Sequence, residues 1–460
     1  MNEFIDDIIK SLNCKKGNVN CSDDILSWIQ SLNKKVKVEI KECSFDNNSF
    51  WYYNHDKGEI LNRNKSFFTI KGIQMIKDNC CVLEHPIIIQ NEIGYLGLIC
   101  KKINGILNFL MQAKIEPGNI NCVQISPTIQ ATKSNFTKVH GGDAPKYLEY
   151  FLNANNYEII YDQIQSEQSS RFYKKRNRNI IVKINDDISA YDNFKWMTLG
   201  QIKEFMKIDN LVNMDTRTVI SGIPLTLLSK EHSLELSKQF ENKIYFNSVF
   251  DYNSQLKIKE IYTFINNLKM FVNNYSAIVP LFNLKDWSVN TRGVYCHKEF
   301  NFDVEFFNIL IEGREVQQWS QPLFKSKGVG VFGLCIRENK ESYDYLIKIK
   351  SEIGSFDKVE IGPTIQKEYI DKYSNYDEIE ILFFDQLNKK KTVNDVMLSE
   401  EGGRFYHEVN RNVIIDISTV NLNKLPNGYF WVSYSVLNYF MSINNCINIQ
   451  LRNLLSLLSL

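Results

Sequence analysis

The sequence predicts a mixed α/β chain of the α+β kind, made by tandem duplication, and three observations carry that expectation. Gly97, Lys114, Gly118, Val123 and the run Pro127-Thr128-Ile129-Gln130 return as Gly333, Lys350, Gly354, Val359 and Pro363-Thr364-Ile365-Gln366, each 236 positions later. Ser166-Glu167, Arg171-Phe172-Tyr173 and Asn177-Arg178-Asn179 return as Ser399-Glu400, Arg404-Phe405-Tyr406 and Asn410-Arg411-Asn412, at a spacing of 233. Trp196, Phe205, Met206, Asn210, Asn213, Arg217 and Ser221 return as Trp431, Phe440, Met441, Asn445, Asn448, Arg452 and Ser456, at 235. Short alternating apolar runs fill the first of these segments and helix-spaced apolar residues the last.

Composition agrees with two domains and excludes several classes of function. A chain of 460 residues is longer than one hydrophobic core serves well, and 44% hydrophobic with 13% aromatic content is ample for two. The 54 basic and 53 acidic residues leave a net charge of +1, which gives no reason to expect nucleic acid or an anionic membrane as partner. Ten cysteines without a C-x-x-C and six histidines without zinc-ligand spacing predict reduced thiols, no metal site and a cytoplasmic protein. The N-terminus MNEFIDDIIKSLN is acidic and amphipathic, unlike a signal peptide, and no run approaches 18 uninterrupted apolar residues.

Taken in order, residues 1–48 read as a helical extension without a counterpart in the second half. Ser22 is placed to cap a helix carrying Ile25, Leu26, Ile29 and Leu32. Residues 49–225 form the first repeat. There Asn104-Gly105 predicts a hairpin between strands Leu96–Ile103 and Ile106–Ile115, followed by a strand through 121–132 that Pro127 interrupts. A helix is expected over 145–155, and Thr198 with Gln201 forms a capping box before Ile202, Phe205 and Met206. Residues 226–294 are a structured connector containing the amphipathic QLKIKEIYTFINNLKMFV, and residues 295–460 the second repeat, ending in the helical LRNLLSLLSL.

Duplicated enzymes often keep chemistry in one copy, so polar residues that the other copy lacks are the better candidates for it. Gln112, Asn121, Gln124, Ser126 and Thr132 become Lys348, Asp357, Glu360, Gly362 and Glu368, Asp215 becomes Gln450, and KSNFTKVHGGDAP has no equivalent. This surface reads as a small-molecule pocket with His140, Glu116 or Asp215 as general base. The plainer alternative is that its Ser, Thr and Asn residues favour turns and that His140 is a solvated loop residue. Lys174, Lys175, Arg176 and Arg178 form a basic run able to hold a diphosphate, or else a solvated strand edge. Arg171 and Arg217 persist in both copies, which favours a framework role; Thr128 and Gln130 persist too, with side chains open to use in one copy only.

The stretches QAKIEPGNINCVQISPTIQAT with SNFTKVHGG, QSEQSSRFYKKRNRN and NLVNMDTRTVISGIP resemble the NDP-hexose 2,3-dehydratases of deoxysugar biosynthesis over most of residues 90–225. The resemblance implies a homodimer whose subunits hold two Nudix-like, mixed-sheet α/β/α domains, the first catalytic and the second structural or vestigial. It implies a dTDP-linked 4-keto-6-deoxyhexose as substrate, loss of the C2 hydroxyl as water, and neither metal nor organic cofactor. The product, a 3,4-diketo-2,6-dideoxy sugar nucleotide, would pass to a 3-ketoreductase or aminotransferase. His140 is then the first choice for base or acid, with Glu116 and Asp215 as alternatives. Lys114, Asn121, Ser134 or Thr137 would polarise O4. Gln124, Ser126, Thr128, Gln130, Thr132, Asn135, Phe136, Arg171, Lys175, Arg176 and Arg178 complete the candidate substrate contacts, with Phe136, Tyr147 or Trp196 stacking on the nucleobase. Two rivals stand beside it. A Nudix pyrophosphohydrolase would need a glutamate-rich metal-binding helix that the sequence does not contain, and the other rival is a non-catalytic nucleotide-sugar-binding protein.

Overall fold

A computed structural model of the chain describes residues 2–46, 49–133, 144–225, 237–238, 242–249, 254–312, 316–370, 376–422 and 424–458. Each repeat folds around a seven-stranded mixed sheet of the same topology. In the first half Glu158–Ser166, Arg176–Lys183, Gly94–Ile103, Ile106–Ile115 and Phe194–Thr198 lie side by side in that order, with Val123–Ser126 and Ile129–Ala131 added at the hairpin. Thr392–Ser399, Val409–Asp416, Val331–Asn339 and Ser342–Ser351 repeat this order in the second. Arg176–Lys183 runs parallel to Gly94–Ile103, and Val409–Asp416 parallel to Val331–Asn339.

Local chemistry explains these elements. Asn104 and Gly105 have φ of +50° and +78°, the two positive values a tight two-residue hairpin turn needs, and Ile103 pairs with Ile106 across it. The strand expected through 121–132 divides at Pro127, because its first part pairs with Ile106–Ile115 and its second with Gly94–Ile103. Thr128 stitches the division: its Oγ1 donates to the Leu110 carbonyl at 2.5 Å and accepts from the Ile99 amide at 2.9 Å. Thr364 repeats both contacts, with Leu346 and Cys335. Thr198 and Gln201 close the expected capping box before the helix Leu199–Phe205. The helix expected over 145–155 is confined to Leu148–Leu152, followed by a 3-10 turn at Ala154–Asn156. The helix Ser22–Lys35 is capped not by Ser22 but by Cys21, whose sulfur accepts from the Asp24 amide at 3.4 Å.

The helical reading of residues 1–48 holds for Asn2–Asn13 and Ser22–Lys35 and fails at Val38–Glu42. That segment is a strand, and it pairs with Phe302–Ile311 of the second half. Val36, Val38 and Ile40 alternate with charged residues and set their apolar side against Phe307, Ile309, Ile311 and Leu323. The segment also has a counterpart after all. Asn274–Val279, beginning 236 positions later and preceded like it by a helix, Ser254–Phe271, pairs with Thr69–Lys77 of the first half. Each half therefore lends a strand to the other's smaller sheet. Among the described residues no helix is long and apolar enough to cross a membrane.

The same exchange recurs at the centre of the molecule. The Gly118 amide donates to the Gly402 carbonyl at 2.7 Å and the His407 amide to the Gly118 carbonyl at 2.9 Å. The Gly354 amide donates to the Ser169 carbonyl at 2.8 Å and the Lys174 amide to the Gly354 carbonyl at 2.8 Å. Behind these contacts one hydrophobic core joins Leu96, Leu98 and Phe109 of the first sheet to Leu334, Tyr345 and Ile347 of the second. Glycine is required where the backbones touch, since a Cβ on Gly118 would lie 1.6 Å from the Phe405 carbonyl oxygen. At Gly105 nothing lies within 4 Å of such an atom and only the positive φ opposes it. Gly118→Ala is therefore expected to lower stability by about 3 kcal/mol or more, and Gly105→Ala by only about 1 kcal/mol. Chemical denaturation of the two variants checks this order.

Candidate active site

The carboxyl end of the strand Ile106–Ile115 carries Lys114 and then Glu116 towards the contact between the halves. Asn213 caps the helix Met214–Ser221, its Oδ1 accepting from the Thr216 amide at 2.9 Å. Its Nδ2 is left to donate to Gln130 Oε1 at 3.1 Å, and Gln130 Nε2 donates in turn to Glu116 Oε1 at 2.8 Å. Lys114 Nζ donates to the Gln130 carbonyl at 3.1 Å and stands 3.8 Å from Glu116 Oε1. Pro-Thr-Ile-Gln thus serves both as a stitch and as a lever: Thr128 fixes the backbone, and Gln130 fixes the carboxylate.

Around Glu116 the fold collects three further carboxyls. Asp215 lies in the first turn of Met214–Ser221, and Glu167 directly follows the strand Glu158–Ser166. Glu401 comes from the second half, on the turn Glu401-Gly402-Gly403-Arg404 that docks against Pro117-Gly118-Asn119. A Cβ on Gly403 would fall 3.1 Å from Glu401 Oε1 and 3.5 Å from Glu116 Oε1, so both carboxylates border one small space. Asp215 is buried and its carboxyl makes no hydrogen bond among the described residues; burial, and then repulsion from Glu167, Glu401 and Glu116, holds it well above the usual carboxylate range. Glu167 accepts from Asn177 Nδ2 at 2.7 Å, yet burial and Glu401 push it up to about 7. Half-buried Glu401 is raised by burial and by Glu116, with Arg404 opposing. Lys175 is buried, donates to the Glu92 carbonyl at 2.5 Å, and is lowered by burial while Glu167 and Glu401 act to keep it charged.

Glu116, Asp215, Lys114, Gln130 and Lys175 are thus brought together, and the other expected residues go elsewhere. Asn121 Nδ2 donates to the Asn210 carbonyl at 2.7 Å within the first half, whereas Gln124 Nε2 donates to Ser399 Oγ at 2.6 Å and so braces the joint between the halves. Ser126 is buried at the strand end paired with Gln112, and Thr132 is half-buried just beyond Ile129–Ala131. Arg171 binds second-half carboxylates, Glu368 at 2.7 Å and Glu408 at 3.4 Å. The basic run disperses: Lys174 lies over Tyr173, Arg176 over Phe356 at 3.8 Å, and Arg178 forms a bidentate pair with Asp162. Tyr147 and Trp196 are packed in the first half's outer core. His140, Ser134, Asn135, Phe136 and Thr137 lie outside the described residues.

A second centre, related to the first by the repeat, keeps the framework and changes the charges. Asn448 donates to Gln366 at 2.9 Å and Gln366 to Glu352 at 2.8 Å, while Lys350 stands 3.6 Å from Glu352. Gln168, the counterpart of Glu401, donates a hydrogen bond to Glu400, the counterpart of Glu167. Glu167 and Arg404 are shared by both copies and Glu401 belongs to the second, so none of them stands out as a polar residue unique to the first copy. The exchange of Gln168 for Glu401 was visible in the same alignment, read in the other direction.

Comparison with known proteins identifies the family. The family model for NDP-hexose 2,3-dehydratase matches residues 22–223 and again 258–458, so each half matches separately and each match begins in or beside the helix preceding its lent strand. A protein of Saccharopolyspora spinosa named dTDP-4-dehydro-6-deoxy-alpha-D-glucopyranose 2,3-dehydratase is 32% identical over 435 residues, covering 93% of this chain and 89% of its own length. Proteins of the same name from Amycolatopsis orientalis and Streptomyces violaceoruber are 30% and 32% identical, over 99% and 94% of this chain and 93% and 95% of their own. The chain belongs to the NDP-hexose 2,3-dehydratase family.

Proposed function

We propose that this chain removes the C2 hydroxyl as water from a nucleoside-diphospho-4-keto-6-deoxyhexose, the dTDP-linked 4-keto-6-deoxyglucose that its relatives' names specify. The observation that carries this is the buried set of carboxyls around Glu116 beside the Lys114 ammonium. A C4 ketone acidifies the C3 proton; a base takes that proton, and the electrons form an enolate on O4. When the C4 carbonyl reforms, a C2–C3 double bond is made, and the C2–O bond breaks as an acid protonates the hydroxyl. Proton transfer from O3 to C2 then gives the 3,4-diketone.

Glu167, ionising near neutrality, suits the base, and its Oε2 makes no hydrogen bond among the described residues. Asp215, held well above the usual carboxylate range by burial and without a hydrogen-bond partner among them, suits the acid. Glu116 is engaged by Gln130 and Lys114 and orients the ammonium towards O4. His140 stays in the proposed set as an additional proton carrier. We further infer that each half is a Nudix-like domain, that the protein is a cytoplasmic homodimer, and that the product goes to a 3-ketoreductase or aminotransferase.

Incubation with dTDP-4-keto-6-deoxyglucose in D2O, with EDTA and a trapping ketoreductase, is expected to give the 2-deoxy product. Unchanged substrate, or nucleoside monophosphate released only with added metal, would contradict the dehydratase. Asp215→Asn is expected to exchange the C3 proton for deuterium while losing water at least about 100-fold more slowly, and Glu167→Gln to lose both steps. His140→Ala is expected to lower kcat far more than it changes binding; turnover within about threefold of wild type would remove His140 from the set.

Burial makes Glu167 a stability cost with a definite sign. Its folded pKa of about 7 exceeds the ordinary 4.5, so folding favours the protonated form and stability is lost as pH rises from 4.5 through 7. Glu167→Gln, which mimics the protonated form, is expected to match wild type near pH 4.5 and exceed it at pH 8 by roughly 3 kcal/mol. Thermal unfolding at the two pH values reads this difference.

A further inference from the structure

The turn that ends in Arg404 has a counterpart in the turn that ends in Arg171, and the two differ in what surrounds the guanidinium. Arg171 is neutralised by Glu368 and Glu408. The repeat puts Thr132 and Lys175 at those two places around Arg404. Arg404 is buried, lies 4.6 Å from the centre of the Phe68 ring, and donates to the Gly403 carbonyl at 2.8 Å and to Gln90 Oε1 at 3.2 Å. Among the described residues it makes no ion pair. Two buried cations that make no ion pair among the described residues, with Glu401 the carboxyl acting on both, make a seat for an anion where the duplicate has a cation paired with carboxylates.

Glu401 is the matching change on the same turn. Glutamine in the duplicate closes a hydrogen bond to Glu400, whereas glutamate here faces Glu167 with a second negative charge. Lys114, Lys175 and Arg404 are the cations facing it, and Glu116, Glu167 and Asp215 the acids.

We infer that the dehydratase centre is built from both halves: Glu401 is a positioning residue acting through Glu167 and Asp215, and Arg404 with Lys175 receives the substrate's diphosphate. This rests on the dehydratase reading above and gives the second half a working role in the first half's site. Since the Glu401 charge disfavours ionisation of both Glu167 and Asp215, its removal must lower both, moving the acidic and basic limbs of activity the same way.

Two variants test this, and the repeat itself shows that each side chain suits its turn. Glu401→Gln places glutamine where Gln168 sits, and Thr132→Glu supplies the carboxylate that Glu368 gives Arg171. For Glu401→Gln the whole kcat/KM bell is expected to move to lower pH by about one unit, with Glu401→Asp restoring most of the shift. An unmoved bell, whatever its height, would overturn the role of Glu401. For Thr132→Glu, calorimetry with dTDP is expected to show binding weakened about tenfold or more at unchanged Tm, with KM rising alongside. Unchanged dTDP affinity would overturn the anion seat, and it would do so even if wild type proved inert towards the keto sugar, an outcome that instead sinks the dehydratase reading.

Discussion

The placement of the acidic turns depends on two buried arginines that reach across the joint between the repeats. Arg217, fully buried, donates to the Val212 carbonyl at 2.6 Å in its own half and to the Ser399 carbonyl at 2.8 Å in the other. Arg452 mirrors it, donating to Ile447 at 2.6 Å and to Ser166 at 2.5 Å. Each carbonyl they grip across the joint ends a strand and immediately precedes the acidic turns, Glu400-Glu401 in one case and Glu167 in the other. A charged hydrogen bond of this kind contributes about 1.5–3 kcal/mol, and leaving the carbonyl buried and unpaired costs a similar amount. Burial lowers Arg217 to about 10, still charged at neutrality, with Glu400 helping to keep it so. The persistence of these arginines in both copies, which in sequence suggests only a framework, is the means by which one half positions the other's carboxyls.

This arrangement sets the electrostatics of the centre. Asp215 occupies a helix N-terminus, where the dipole favours the anion, yet burial and three neighbouring carboxyls outweigh a dipole worth about 1 kcal/mol. The fold tolerates the repulsion because the exchange contacts around Gly118 and Gly354 leave the turns no freedom to separate. Glu167 and Asp215 differ through their surroundings: Asn177 supports ionised Glu167, while no hydrogen bond from the described residues supports ionised Asp215.

Local signals were legible in proportion to their range. The Asn104-Gly105 turn, the Thr198–Gln201 capping box and the paired terminal helices follow from chemistry within a few residues, and all are present. The two-copy organisation was legible because the repeat keeps nearly constant spacing. The lent strands were not: Val36, Val38 and Ile40 alternate as a strand should, but a segment so charged looks like the end of a helix until its partner some 270 residues away is known. Of the centre, Glu116, Asp215 and Lys114 were within reach, since they sit on or beyond repeat framework in the first copy. Glu401 was legible only as an exchange for Gln168 between the copies and Arg404 only as repeat framework, because the contact bringing them to Glu116 joins residues about 285 apart and leaves no local pattern.

Hydrogen exchange on Arg217→Met reads the cross-half grip most directly. If Arg217 holds the second half, amides of residues 396–404 must lose protection together with those of 212–217, although the substitution lies in the first half. Faster exchange confined to residues 212–221, with 396–404 protected as in the wild type, would contradict it.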